Sequence, residues 1–319
     1  MELKYHSTPD ILRLTNSLLE KFRELDRRTA EKEVSDPGRK YRIDTIHFTM
    51  QLECKILSRE KTEAVIKDRY VQGPKTRIQE VRNALEVYDH LKEMNPWSQD
   101  SLLASLKTMT AGLAEYPGRY RITEAAVFRG RDIIGMALPP GGVPRLMDDL
   151  FEFLNSPEEP LLIKSCIAHY SLEHIQPFMD FNGMMGRLWN KLLLMQETPV
   201  FEILPYEKLI YQTRKDYYSA LTESEKAGHP TEFIHYMLKV INHSLQDYRD
   251  FGQQPLSASD RLLYFHKLGI PAFTRKNYMK VFKNISPATA SRDLEKGVNA
   301  GLFGRRGTKN ATVYSWLEQ

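Results

Sequence analysis

Apolar residues recur at helical spacing along most of this chain, and the spacing breaks only where proline and glycine gather. Such a pattern restricts the chain to short helices packed on one another. Ser7-Thr8-Pro9-Asp10 offers a cap and an N1 proline, after which Ile11, Leu12, Leu14, Leu18, Leu19 and Phe22 form an apolar stripe. This first helix is expected to run to about Lys32 and to end at Ser35-Asp36-Pro37-Gly38. A second stretch is expected from near Thr45 to a break at Gln72-Gly73-Pro74. Ile78, Val81, Leu85, Tyr88 and Leu91 space out a third that stops before Asn95-Pro96, and Ser98 can cap a fourth. Residues 116–143 interrupt the pattern with Pro117-Gly118, Pro139-Pro140-Gly141-Gly142 and two strand-like pieces, 125–128 and 132–136, which predict a hairpin or flap. Helices are expected again over 144–154 and 157–174, then over 183–196 after a loop at 176–182, with two or three more over 206–248.

Composition bounds the answer. At 319 residues the chain has room for two domains, or three small ones. With 41% apolar and 27% charged residues it can build real cores, which excludes wholesale disorder. No apolar run approaches the ~20 residues of a membrane span, and MELKYHSTPD lacks the apolar region of a signal peptide. Cys54 and Cys166 are too few for a disulfide framework or a cysteine zinc site. These features lead us to expect a soluble, cytoplasmic protein with no membrane partner.

The net charge of +4 is unevenly spread. Residues 255–319 hold eleven Lys and Arg against four Asp and Glu, so the rest of the chain is slightly negative. A basic tail on a near-neutral body suits a nucleic-acid contact, although charge alone is more simply a solvated basic face. The tail, beyond a linker at 252–257, predicts helices over 259–268, from Thr274 to about 282, and over 286–300. A basic turn, Gly304-Arg305-Arg306-Gly307-Thr308-Lys309, then precedes a strand-like Thr312-Val313-Tyr314. Three helices and a hairpin make the layout of a winged helix-turn-helix. Residues 285–303, with Ser286, Thr289, Ala290, Arg292, Asp293, Leu294, Gly301 and Leu302, resemble the recognition segment of that fold, except that Gly297 sits where a mid-helix Leu is usual. The resemblance implies DNA contacts from Arg292, Lys296, Arg305, Arg306 and Lys309, although winged helices also serve as protein–protein modules.

The segment richest in chemistry is Gln176-Pro177-Phe178-Met179-Asp180-Phe181-Asn182-Gly183-Met184-Met185-Gly186-Arg187. It is a loop feeding a helix N-terminus, whose free N–H groups attract anions; Asn182-Gly183 permits close approach of a ligand to the backbone. Arg187, one turn in, can pair with a phosphate, and Asp180 is a hard carboxylate suited to Mg²⁺. The same residues also read as a simple N-cap (Asp180 or Asn182) and a surface arginine.

This segment resembles the signature of the Fic (Fic/Doc) family, H-P-F-x-[DE]-G-N-G-R-x-x-R. His169-Tyr170-Ser171-Leu172-Glu173-His174-Ile175 is similar to the family's lead-in helix. Gly118-Arg119-Tyr120-Arg121, Pro139-Pro140 with Val143-Pro144-Arg145-Leu146-Met147, and Ile78-Gln79-Glu80-Val81-Arg82-Asn83 are similar to further family segments, so that the resemblance covers 45–248. Together with the tail's own resemblance it implies a mainly α protein: an N-terminal helical segment (1–44), a helical Fic domain with a small β-hairpin flap (45–252), and a winged-helix domain (253–319). It also implies transfer of AMP from ATP to a hydroxyl of a protein target, with Mg²⁺. By position, Phe178, Asn182, Gly183, Gly186 and Arg187 fall to nucleotide binding, with Phe178 anchoring the loop in the core, and Asp180 to the metal.

Three positions depart from the signature. Gln176 replaces the general-base His, and an amide has no useful pKa; loss of such a base costs about 10²–10⁴ in rate. Phe181 puts bulk where a small residue is usual. Met184 removes a phosphate-facing cation, a loss of a few kcal/mol on the scale of removing an electrostatic stabiliser. His174 points elsewhere at that offset, and His169 matches a structural position. Thr49-Met50-Gln51-Leu52-Glu53-Cys54 resembles the family's inhibitory helix motif, [S/T]-x-x-x-E-[G/N], in which the Glu pairs with the second motif arginine; Glu53 and Arg187 are the corresponding pair, and Cys54 departs. An ordinary surface Glu is the alternative.

The expected function is a Fic-fold regulator with weak or no AMP transfer that binds nucleotide, DNA or a protein partner. The alternatives are an active nucleotidyl- or phosphotransferase with a non-standard loop, and a DNA-binding regulator whose Fic body forms a homodimer.

Overall fold

Thr8 and Pro9 open the first helix, α1 (Pro9–Thr29), with the Thr8 Oγ1 accepting the Ile11 N–H at 3.3 Å. The computed structural model describes residues 4–29, 38–115, 117–129, 132–253, 258–267, 270–282, 285–307 and 312–317. Lys32 and Ser35 to Pro37 therefore lie outside the described residues. The chain divides into two compact units, Met1–Tyr248 and Arg249–Gln319.

In the first unit α2 (Gly38–Leu52), α3 (Arg59–Ile66), α4 (Lys75–Asp89) and α5 (Gln99–Met109) follow α1. Ser58 and Ser98 cap α3 and α5 with their side chains. The second helix thus starts at Gly38 rather than near Thr45, and the expected division at 44/45 falls inside it. A two-stranded antiparallel hairpin, β1 (Ala126–Arg129) and β2 (Asp132–Met136), carries a bulge between Val127 and Phe128. Helices α6 (Val143–Asn155), α7 (Leu161–Ile175), α8 (Asn182–Glu197), α9 (Tyr206–Gln212), α10 (Arg214–Ala227) and α11 (Thr231–Gln253) complete the order. Helix α11 takes in Gly252 and Gln253, which the sequence reading assigned to a linker; residues 254–257 lie outside the described residues.

Helices α7 and α8 pack side by side and are buried all round, as helices without a polar face must be. They separate two cores. One gathers α2 to α6 around Met147, Leu150, Leu172 and Trp189. The other gathers α1 and α9 to α11 around Phe22, Ile167, Phe201 and Phe233. Gly186 lets the two central helices touch: a Cβ there would lie 2.7 Å from the His169 Cδ2 and 3.2 Å from its carbonyl oxygen. Among the described residues no helix is long and apolar enough to cross a membrane.

The second unit comprises α12 (Ala258–Lys267), β3 (Ala272–Thr274), α13 (Arg275–Val281), α14 (Pro287–Asn299), β4 (Phe303–Arg306) and β5 (Val313–Trp316). The strands form an antiparallel sheet in the order β3-β5-β4. Thr274 caps α13 through a capping box with Asn277, and Ser286 caps α14. Asp293 is buried, gripped by Arg261 at 2.6 and 2.9 Å and by the Tyr278 hydroxyl at 3.2 Å, which ties α14 to α12 and α13. The space at Gly297 is filled by the Phe303 ring, which a Cβ at 297 would overlap; no Leu fits there because β4 supplies the aromatic instead.

Candidate functional site

The loop between α7 and α8 is held by two left-handed residues. Gln176 ends α7 at φ 49° and Phe181 precedes α8 at φ 69°, so the chain reverses within six residues and presents the α8 N-terminus. Asn182 staples the loop. Its Nδ2 donates to the Phe178 carbonyl and to Gln176 Oε1, both at 2.9 Å, and its Oδ1 accepts the Phe178 N–H at 2.9 Å. Arg121 clamps the loop to the base of the hairpin: its Nε donates to the Gln176 carbonyl at 2.6 Å and its N–H to the Pro177 carbonyl at 2.9 Å, with a further bond from Nη2 to the Leu138 carbonyl.

These elements border a cavity of about 340 Å³ whose wall includes Glu53, Glu173, Gln176, Asp180, Asn182, Gly183 and Arg187, with Phe128 and Met179 at its rim. Arg187 is 1% exposed, so the reading of it as a surface arginine does not hold. Its Nη2 lies 2.6 Å from Glu53 Oε1, and its Nε donates to Thr49 Oγ1 at 2.8 Å. Burial works against its charge, and Glu53, Tyr217 and Glu173 together outweigh burial and lift its pKa. Burial likewise pushes the Glu53 carboxyl up, opposed by Arg187 and reinforced by Glu173. A Cβ on Gly183 would collide with Glu53 Oε1 and lie 2.7 Å from Glu173 Oε1, so a side chain there would have to push these carboxylates aside. Two carboxylates thus stand against the helix N-terminus, where an anion is favoured.

The turn that delivers Glu53 has a clear geometry. The Cys54 N–H donates to the Gln51 carbonyl at 3.1 Å and the Lys55 N–H to the Met50 carbonyl at 3.0 Å, a Schellman cap with Cys54 left-handed at φ 54°. The cysteine that departs from the [G/N] position keeps the conformation for which Gly or Asn is favoured.

Gln176 is fully occupied. Its Oε1 accepts from Asn182, and its Nε2 donates to the Glu173 carbonyl at 2.8 Å, with Glu173 Oε2 at 3.4 Å. Behind it runs a buried chain. The Tyr217 hydroxyl donates to Glu173 Oε1 at 2.7 Å and sits 3.0 Å from His169 Nε2. A carboxylate only accepts, so the tyrosine oxygen accepts from an Nε2–H tautomer of His169. Burial, then Arg187, hold the His169 pKa well below its usual value, and it stays neutral.

Two residues assigned by position to nucleotide binding, Phe178 and Gly186, are not among those lining the cavity. Phe178 is 2% exposed, stacks on Tyr120 with ring centroids 5.9 Å apart, and lies behind the cavity wall as the loop's anchor. Gly186 faces His169 between the central helices, where it permits their close approach. Phe181 and Met184 turn into the core at 4% and 1% exposure, and Phe181 also borders the cavity. Asp180 fits a divalent cation poorly as it stands. Its Oδ1 accepts the Phe181 N–H at 2.7 Å, its Oδ2 lies 2.7 Å from Lys55 Nζ, and no group of three or more His, Cys, Asp or Glu among the described residues is arranged to hold a metal.

Lys55 and Glu173 escaped the sequence reading as site residues. The available signals were a base directly after a helix end, for Lys55, and an acid in the lead-in helix, for Glu173. In the second unit Arg292, Lys296, Arg305 and Arg306 are exposed, and Lys309 lies outside the described residues.

Residues 96–194 match the Fic/DOC family. Over 251 residues, 75% of this chain and 46% of the relative, the sequence is 28% identical to protein adenylyltransferase fic-1 of Caenorhabditis elegans. It is 26% identical over 209 residues to protein adenylyltransferase Fic of Drosophila mojavensis, covering 64% of this chain and 40% of that one. The chain thus spans less than half the length of these curated relatives. Its structure is similar to that of a Fic family protein from Desulfovibrio desulfuricans G20, with a TM-score of 0.74 and 29% identity, covering 100% of this chain and 99% of the other. It shares its fold with C. elegans Fic-1, with a TM-score of 0.61 and 22% identity over 77% and 74% of the two chains. Residues 96–194 thus match a Fic/DOC domain, and the chain is similar in sequence to protein adenylyltransferases.

Proposed function

We propose that this protein is a nucleotide-responsive regulator: a Fic body that binds the phosphates of ATP but transfers AMP weakly or not at all, joined to a winged-helix domain that contacts DNA. The observation that carries the first half is the bonding of Gln176. Both ends of its carboxamide are engaged by Asn182 and Glu173, and no base stands at that position to take a proton from a target hydroxyl. Arg187 and the α8 N-terminus remain as an anion site, with Glu53 covering it. The adenylyltransferase relatives point to ATP and a metal as the ligands in general.

The test is a calorimetric titration of ATP into the full chain and into Glu53→Gly, followed by label transfer from ATP. Binding by Glu53→Gly that is tighter than wild type, with no transferred label, supports the reading. Efficient labelling of the protein or of lysate targets by either chain overturns it. A second reading, an active transferase, draws on Glu173: its carboxylate borders the cavity beside Gln176 and is of the type that accepts hydroxyl protons in phosphoryl transfer. Under that reading label transfer is present and disappears in Glu173→Gln.

The DNA half draws on the exposed Arg292 and Lys296 of α14 and on Arg305 and Arg306 of β4, in a unit of three helices and a three-stranded sheet. Duplex binding by the full chain is expected to weaken by several decades between low and moderate salt, and to weaken in Arg292→Ala and Arg305→Ala. Salt-insensitive binding, or none, removes this half.

A further inference from the structure

Lys55 Nζ lies 2.7 Å from Asp180 Oδ2, 3.6 Å from Glu80 Oε1 and 4.2 Å from the centroid of the Phe181 ring. The groups come from three places: the turn after α2, helix α4, and the loop before α8. Two carboxylates and an aromatic face are the surroundings that select a small cation, and here a lysine ammonium is that cation. It is held firmly, with the Lys55 side chain 9% exposed and the Glu80 side chain 4%. Glu80 also takes Arg77 Nη1 at 2.6 and 2.7 Å, so the cluster is electrically balanced by Lys55 and Arg77 against Asp180 and Glu80. A divalent ion entering beside Asp180 would meet an ammonium within hydrogen-bond distance of its own ligand. Displacing that ammonium takes one of two carboxylates from a mostly buried lysine, leaving it Glu80 at 3.6 Å, while the Asp180 side chain itself is 57% exposed.

The departure at Phe181 belongs to the same arrangement. A small residue at 181 offers no ring to the ammonium, whereas the buried phenylalanine forms one face of its site. The left-handed φ of 54° at Cys54 sends the chain back so that the next residue, Lys55, reaches the loop.

We propose that the Lys55 ammonium takes the place of a divalent cation beside Asp180, and that the cavity therefore takes the phosphates of its ligand without a metal. The first half stands on the ion pairs alone. The second rests on the reading of the cavity as a nucleotide-phosphate site.

Two measurements on the full chain keep the halves apart. In the first, Mn²⁺ alone is titrated into wild type, Lys55→Met and Lys55→Gln and followed by electron paramagnetic resonance. Removal of the ammonium leaves Asp180 and Glu80 facing one point, and the variants are expected to bind Mn²⁺ at least about tenfold more tightly than wild type. Equal binding by wild type and by whichever variant folds, or no binding by any of them, overturns the exclusion of the cation. In the second, ATP affinity of Glu53→Gly is compared in EDTA and in Mg²⁺. Affinities within about threefold support metal-free binding, and a gain of about tenfold or more with Mg²⁺ overturns it. Absence of ATP binding in both buffers overturns the nucleotide reading and the metal-free half with it, while the Mn²⁺ titration still decides the first half.

Discussion

Arg187 Nη2 lies 2.6 Å from Glu53 Oε1, across 134 residues of sequence, at the end of the cavity where the free amides of α8 begin. Glu53 stands where an incoming phosphate would be drawn. Under the proposed reading the pair bears on access as well as stability, and its two halves respond differently to mutation. Arg187→Met leaves the Glu53 carboxylate without its cation. With the Glu53 side chain 21% exposed, a loss near the lower end of the buried-pair range, about 3 kcal/mol, is expected in urea unfolding. Glu53→Gln keeps a hydrogen-bonding partner for Arg187 and is expected to cost less than half as much.

Cys54 holds a left-handed conformation that only glycine adopts without strain. Cys54→Gly is expected to stabilise the protein by about 1 kcal/mol, and the β-branched Cys54→Val to destabilise it by a similar amount. The urea midpoints of the two variants should move in opposite directions.

Gly297 is required by Phe303. Adding the alanine methyl forces the ring aside, at a cost of about 1–3 kcal/mol. Hydrogen exchange of the α14 and β4 amides is the suitable readout, because the change is local to the second unit. Phe303→Leu is expected to relieve part of the cost in the double variant, giving a coupling term of opposite sign to the single effects.

His169 is neutral in the folded protein, with its pKa held well below the ordinary histidine value of about 6.5 by burial and Arg187. Below that value the unfolded chain takes up a proton that the folded chain refuses. The contribution of His169 is thus fully present above about pH 6.5 and is lost as the pH falls, with a slope of up to about 1.4 kcal/mol per pH unit. His169→Gln retains a donor for Tyr217 and is expected to flatten the dependence of unfolding free energy on pH between about 5 and 6.5.

Local signals were readable from the sequence because their causes are local. Ser98, Thr274 and Ser286 cap the helices they were expected to cap, and the strand pieces at 125–128 and 132–136 pair as a hairpin. The start of α2 was misread because a glycine following a proline looks like a break. Gly38 is instead the first residue of a helix whose Ile43, Ile46 and Met50 face the core, and burial of that face outweighs the poor helix propensity of glycine.

The sequence by itself determined the helical character, the order of elements, and the loop with its helix N-terminus. Each of these depends on residue type and short-range spacing. Only the tertiary structure decided what the loop residues do. Gly186 serves packing because α7 and α8 lie against each other, and Asp180 is engaged because a turn 125 residues earlier brings Lys55 to it. Ion pairs and close approaches between distant segments depend on where the chain returns in space, and residue spacing along the sequence carries no record of that distance.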